Sequence, residues 1–197
     1  MSKLRQTDLA PFKPARIVKA VAPAVVLSDP RYPHNVGAAV RAASCFGAKQ
    51  VWLTGRRVAE KVWDAKRIPR EERMKGFSDV DLILEDRPFD YFGPEITPVG
   101  VELLDGAENL YAFEHPENPV YVFGPEDGSV PSNIRGLCHR RIFIPTKHCT
   151  NLGAAVYLIL NDRKYKRVMA GLDPMETIDE ALNESRGWAI DDNPVFD

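Results

Sequence analysis

Six short runs rich in apolar and β-branched residues punctuate the chain, each too brief for a helix, and they constrain its fold more than any other feature. They are "AVVL" (24–27), "QVWL" (50–53), "VDLIL" (80–84), "TPVGVEL" (97–103), "PVYVF" (119–123) and "RIFI" (141–144). Helical patterns fall between them: Asn35 to Phe46, a charged stretch near 58 to 75, a short helix around "AENLYAF", and a long segment from Asn151 to about Arg167. Buried strands alternating with helices predict an α/β fold, a mostly parallel sheet flanked by helices on both faces. No internal repeat is evident. The pattern divides the chain into a basic N-terminal arm (1–22), a core domain (23–168) and an acidic C-terminal extension (169–197). In sheets of this kind ligands bind at the carboxyl ends of the strands. That rule selects "SDPRYPHNVG" after the first strand, "GPEDGSVPSN" after the fifth and "PTKHCTNLG" after the sixth.

Composition narrows the class. With 44% apolar and 27% charged residues the sequence is that of a globular protein, neither disordered nor membrane-embedded. No run approaches the roughly 20 apolar residues of a spanning helix. The first residues lack the apolar block of a secretory signal. Cys45, Cys138 and Cys149 never form a CxxC pair, and the four histidines show no HxxxH spacing. A disulfide framework and a metal site are therefore not expected, and a reducing cytoplasm is. Charge is unevenly spread: from Asp173 onward eight acids face Arg186 alone, while bases cluster in the N-terminal arm, in "RRVAEKVWDAKRIPREERMK" and in "NDRKYKR". Such patches suit a polyanionic partner, over one of which the acidic tail could fold, and equally suit a solvated surface.

The first loop is held extended by Pro30 and Pro33. Asn35 has the chemistry of an N-cap, and Val36, Val40, Ala43 and Gly47 form a core stripe. Arg41 lies off that stripe, one turn beyond Gly37, so its side chain leans back over a bare glycine toward the free N–H groups of the first turn. Those groups favour an anion; the plain alternative is a surface salt bridge. In the second loop Gly124 leaves room beside backbone, Glu126 follows the strand, and Asp127-Gly128 makes a turn. In the third, Thr150 or Asn151 caps a helix whose first turn is thinned by Gly153. Cys149 reads as a small residue rather than a nucleophile.

Taken in order, the three segments resemble the SpoU/TrmH family of SPOUT RNA 2′-O-ribose methyltransferases. "NVGAAVRAASCFG" matches N-x-G-A-x-x-R-x-A-x-x-F-G, "FGPEDGSV" matches F-G-x-E-x-x-G, and "IPTKHCTNLGAAV" stands where Ile-Pro is followed by Ser-(Leu/Met)-Asn. The resemblance covers about residues 23 to 168. Cys149 replaces the usual serine, a poorer hydrogen-bond donor, and the loop before it is short.

The resemblance implies a C-terminal deep trefoil knot, a cytoplasmic homodimer, and S-adenosylmethionine as methyl donor. By match, cofactor contacts fall to Leu103, Gly124, Ile144, Leu152 and Cys149. It implies that Arg41 binds the phosphate beside the target ribose and stabilises the developing alkoxide, with Asn35 and Asn151 holding Arg41 and the ribose and Glu126 ordering its loop. It implies RNA as the partner, tRNA before rRNA; Tyr32, Trp63 and Tyr165, set among basic residues, suit either stacking on exposed bases or partly buried packing. The alternative, suggested by the altered third motif, is a catalytically silent RNA-binding protein that keeps the fold. A small-molecule enzyme would need a GxGxxG or a nucleophile elbow after the first strand, and neither is present.

Overall fold

The computed structural model describes residues 19–58 and 79–181. The chain divides into two compact units, Met1–Arg163 and Lys164–Asp197. In the first, β1 (Ala24–Ser28), β2 (Gln50–Thr54), β3 (Asp81–Leu84), β4 (Thr97–Val101), β5 (Glu108–Asn109), β6 (Pro119–Phe123) and β7 (Arg140–Phe143) form one seven-stranded sheet in the order β3-β2-β1-β6-β4-β7-β5. Every pairing is parallel. Among the described residues the helices α1 (Pro33–Cys45), α2 (Ser132–Arg135) and α3 (Leu152–Met169) accompany the sheet.

A parallel sheet buries both faces, and the side-chain alternation along β1 shows it. Val25 and Leu27 enter one apolar cluster together with Val36, Ala39 and Val40 of α1 and Val156 and Ile159 of α3. Ala24 and Val26 enter the other, with Trp52, Ile83, Val122, Ile134 and Cys138. Phe89, Phe92 and Ile96 pack on that second cluster. Gln50 is buried within β2, and its amide is satisfied by donating to Lys19 O (2.7 Å) and accepting from Val21 N (3.1 Å) and Trp52 Nε1 (3.2 Å). The two-residue β5 is held by Arg140, which grips Glu108 with two of its three guanidinium nitrogens (2.9 and 2.6 Å) and lies 4.1 Å over the Phe113 ring.

Several boundaries differ from expectation. The fourth strand stops at Val101 instead of running to 103, and "AENLYAF" forms β5 followed by a 3₁₀ turn, Leu110–Ala112. Asn109 causes the switch: its side chain accepts the Tyr111 N–H and caps the turn. Gly47 does not belong to the core stripe. It is exposed at φ +78°, just past the C-cap Phe46, where a left-handed residue ends a helix. Most of the helix expected at 58–75, and with it Trp63, lies outside the described residues.

In the second unit Arg167 pairs with Asp173 (3.0 Å) and Lys164 with Glu176 (3.6 Å), so the first acids of the tail meet the bases of "NDRKYKR". Thr177 and Glu180 satisfy each other as a capping box: Thr177 N donates to Glu180 Oε2 (2.7 Å) and Glu180 N to Thr177 Oγ1 (3.3 Å). No described helix is long and apolar enough to cross a membrane.

Candidate active site

All parallel strands deliver their carboxyl ends to one edge, and β6, β4 and β7 are consecutive in the sheet. The loops that follow them, with the loop after β1, build the site.

Tyr32 is extended (φ −120°, ψ 124°), as the residue before Pro33 must be, and Pro33 opens α1. Asn35 is therefore not the N-cap. The helix has already begun, the cap is Tyr32, and no side chain of that residue caps it. The reason lies 91 residues away, in Glu126 of the second loop. Its carboxylate accepts the Arg31 N–H (2.7 Å), the Tyr32 N–H and the side-chain amide of Asn35. Burial disfavours its charge, but these donors and the N–H of Glu126 itself outweigh that and hold the carboxyl below the ordinary glutamate range.

Asn35 is 2% exposed, so both ends of its amide need partners. Its nitrogen donates to Glu126, and its oxygen accepts from Asn151 Nδ2 at 2.8 Å. Asn151 Oδ1 in turn accepts the Ala154 N–H (3.3 Å) and caps α3, as expected. A carboxylate only accepts, so each amide along this chain can face only one way. The direction runs from the helix N-terminus through Asn151 and Asn35 to Glu126. Close packing makes the contact possible: a Cβ on Gly153 would stand 2.6 Å from Ala38 Cβ, 3.2 Å from Asn151 Oδ1 and 3.7 Å from Asn35 O.

An outer ring was not foreseen. Arg57 pairs with Asp29 (2.8 Å) and Asp127 (3.0 Å), and Arg31 reaches Asp127 at 3.4 Å. The Arg57 hydrogen bond is the main reason Asp127 lies below its usual range; the same bond raises Arg57. Gly55, at φ +73°, leaves room for the Asp29 side chain, whose Oδ1 would be 2.2 Å from a Cβ there. The signal was weak: Asp29 is the one described non-glycine residue at positive φ (43°), and Asp-Pro after a strand hints at a turn but not at its partners.

The residues expected at the cofactor take these places. Leu103 lies two residues past β4 and is 77% exposed. Gly124 and Ile144 immediately follow β6 and β7. Leu152 is the buried first residue of α3, and Cys149 is an exposed free thiol in the loop before it. The space beside Gly124 is filled by its own loop: a Cβ would be 2.8 Å from Val130 N. The register of β4 with β6 and β7 sets residues 102–103 between 124 and 143–144.

Arg41 is exposed on α1, about 9 Å along the axis from Asn35. Among the described residues no hydrogen bond or ion pair engages it. The structure joins Asn35, Glu126 and Asn151; it does not place Arg41 in that chain. Near the start of α1, Tyr32 and His34 are exposed and stacked (5.4 Å, 23°), with the Arg31 guanidinium 5.2 Å from the Tyr32 ring centre. Tyr165 is exposed in the second unit. No group of three or more potential metal-ligating residues occurs among the described residues.

Fold and edge together define a class: a parallel α/β protein with a polar site built at the carboxyl ends of its strands. Residues 22–161 match the SpoU rRNA Methylase family, and the chain belongs to that family. Solved structures share the fold. One is the SpoU methyltransferase AviRb from Streptomyces viridochromogenes with the cofactor AdoMet (TM-score 0.65, 21% identity, 78% of this chain and 63% of that one). Another is the TrmH/SpoU tRNA modifying enzyme of A. aeolicus (TM-score 0.65, 19% identity, 91% and 92%). A third was solved to explain the 2-OH methylation of C/U34 on tRNA (TM-score 0.58, 22% identity, 74% and 90%). The chain spans about three-fifths of the length of the AviRb chains it matches, 60% and 63%. No curated protein sequence matches it.

Proposed function

We propose that this protein methylates a ribose 2′-OH of RNA with S-adenosylmethionine as donor, acting on tRNA rather than rRNA. The hydrogen-bonded chain Glu126–Asn35–Asn151 carries the reading. It ties the first, second and third motif loops into one polar structure, which three unrelated surface loops have no reason to form.

The cofactor fits the residues present. The edge offers apolar surface at the exposed Leu103 and the partly buried Ile144, and the Glu102 carboxylate, whose two oxygens are buried without a hydrogen-bond partner among the described residues. Leu103, Gly124, Ile144, Cys149 and Leu152 would hold it there. When bound, it supplies an electrophilic methyl group, so the protein's task is to position the hydroxyl and stabilise the charge left by its proton. Arg41, exposed and unpaired among the described residues, is open to a phosphate; it binds the one beside the target ribose and stabilises the developing alkoxide. Asn35 and Asn151 hold the ribose and the Arg41 side chain, and Glu126 fixes the orientation of both amides. The active form is a homodimer in which Arg41 serves the cofactor site of the partner subunit, and the chain after β7 passes through the family's knot.

Proteins of this fold include a tRNA modifying enzyme and a structure concerned with the 2-OH methylation of C/U34 on tRNA beside an rRNA methyltransferase from Sinorhizobium meliloti, and tRNA is the target proposed for this chain. Replacing Arg41 by Ala is expected to leave S-adenosylmethionine affinity unchanged and lower methylation by about 10²–10⁴-fold. Near-normal turnover in that variant contradicts the role, and the absence of binding heat in the unaltered protein would favour a silent RNA-binding protein.

A further inference from the structure

Glu102 is the residue next after β4, and its backbone is pinned at the site edge: its N–H donates to Ile142 O at 2.9 Å. Along the strand Val99 and Val101 pack toward the cluster of α1 and α3, while Gly100 faces Cys138 on the other side. Alternation puts Glu102 with Gly100. The residue as a whole is half-buried, yet both carboxylate oxygens are covered and have no hydrogen-bond partner. A long acidic side chain normally does the reverse, keeping its head in water.

Among the described residues no neighbour supplies the missing donors. The Cys138 thiol is turned to Ile134 O (3.6 Å), and no ion pair joins Arg141 to this carboxylate. A carboxylate left in this state is destabilising, and such groups in native proteins call for a partner. Two empty acceptors side by side ask for two donors side by side.

We propose that Glu102 is a cofactor-binding residue that accepts both hydroxyls of the vicinal 2′,3′-diol on the cofactor's ribose. The proposal rests on the reading that this edge binds S-adenosylmethionine. Among that molecule's donors, the adenine amino group directs its two hydrogens apart and the sulfonium has none. The diol presents two O–H groups in parallel, matching a carboxylate as a bidentate pair. The amino-acid ammonium is also a donor, but the apolar neighbours choose the nucleoside half: Leu103 is 77% exposed and Ile144 follows β7 in the adjacent loop, surfaces suited to a purine.

Isothermal titration of the full-length protein with S-adenosylhomocysteine and with its 2′,3′-dideoxy counterpart tests this. The unaltered protein is expected to bind the dideoxy compound about 10- to 100-fold more weakly. Glu102→Met is expected to bind both compounds at that weaker level, while its ligand-free unfolding temperature rises because an unpartnered carboxylate has been replaced by an apolar chain of similar length. Glu102→Gln, which keeps the shape, is expected to fall between. Equal discrimination against the dideoxy compound in the unaltered and Met proteins overturns the assignment, as does a lower unfolding temperature with unchanged affinity, the mark of a structural glutamate. No heat from the unaltered protein with either compound overturns instead the reading beneath it.

Discussion

Asn35 shows how a side chain acquires its role from partners far along the sequence. Its type and place just after Pro33 fit a helix cap, but the helix has already begun there; Glu126 accepts the Arg31 and Tyr32 N–H groups ahead of it together with the Asn35 side-chain amide, which so bridges two loops. Because Glu126 lies below its ordinary range, it favours the folded state when ionised. That contribution is complete above the unfolded glutamate pKa of about 4.3 and fades as pH falls through the lower folded value. Glu126→Gln should therefore unfold at a lower temperature near neutrality, since a Gln amine would face the Asn35 amine. Its unfolding temperature should also fall less steeply than that of the unaltered protein between pH 6 and pH 3. Thermal melts across that range measure both, and parallel curves would show that the carboxylate is not responsible.

At the scale of elements, the contact of α1 with α3 sets the site. Gly153 lets Ala38 approach, and any Cβ there meets a methyl group on a helix that cannot easily retreat. Gly153→Ala gains about 1 kcal/mol of helix propensity but overpacks the interface by about 1–3 kcal/mol. The net expectation is a less stable protein with reduced methylation, because the added carbon separates Asn151 from Asn35. Adding Ala38→Gly should restore methylation while keeping most of the stability loss, since a second glycine costs about 1 kcal/mol in a helix. Activity that stays low in the double variant would show that the helix contact does not govern the amide bridge.

A second tie joins elements without touching the site. His115 is held between the Tyr121 hydroxyl (2.5 Å) and Asp162 of α3 (2.8 Å), its side chain 4% exposed. Burial drives the Tyr121 pKa upward, so this tyrosine stays neutral through the physiological range. The tie fixes the middle of β6 to α3 and supports the strand from which Glu126 emerges.

Across the whole molecule, what the sequence disclosed and what it hid have separate causes. Six of the seven strands were legible because a parallel sheet buries both faces, and runs such as "AVVL" and "PVYVF" satisfy that as strands; the exposed two-residue β5 carries no such run. The three loops were legible because strand ends of one sense share one edge. The Arg57–Asp29–Asp127 ring was not, since its members are 28 and 70 residues apart and no periodicity links them. Glu102 escaped notice for a different reason: in sequence it closes an ordinary apolar run, and only three-dimensional burial reveals that its carboxylate lacks a partner.

The most direct measurement is nucleoside mass spectrometry of total tRNA, and separately of rRNA, after incubation with the purified protein and S-adenosylmethionine bearing a trideuterated methyl group. The account predicts a deuterated 2′-O-methyl nucleoside in the tRNA digest that disappears with the Arg41→Ala protein. Label confined to the bases, label in rRNA alone, or no label in either pool would contradict it.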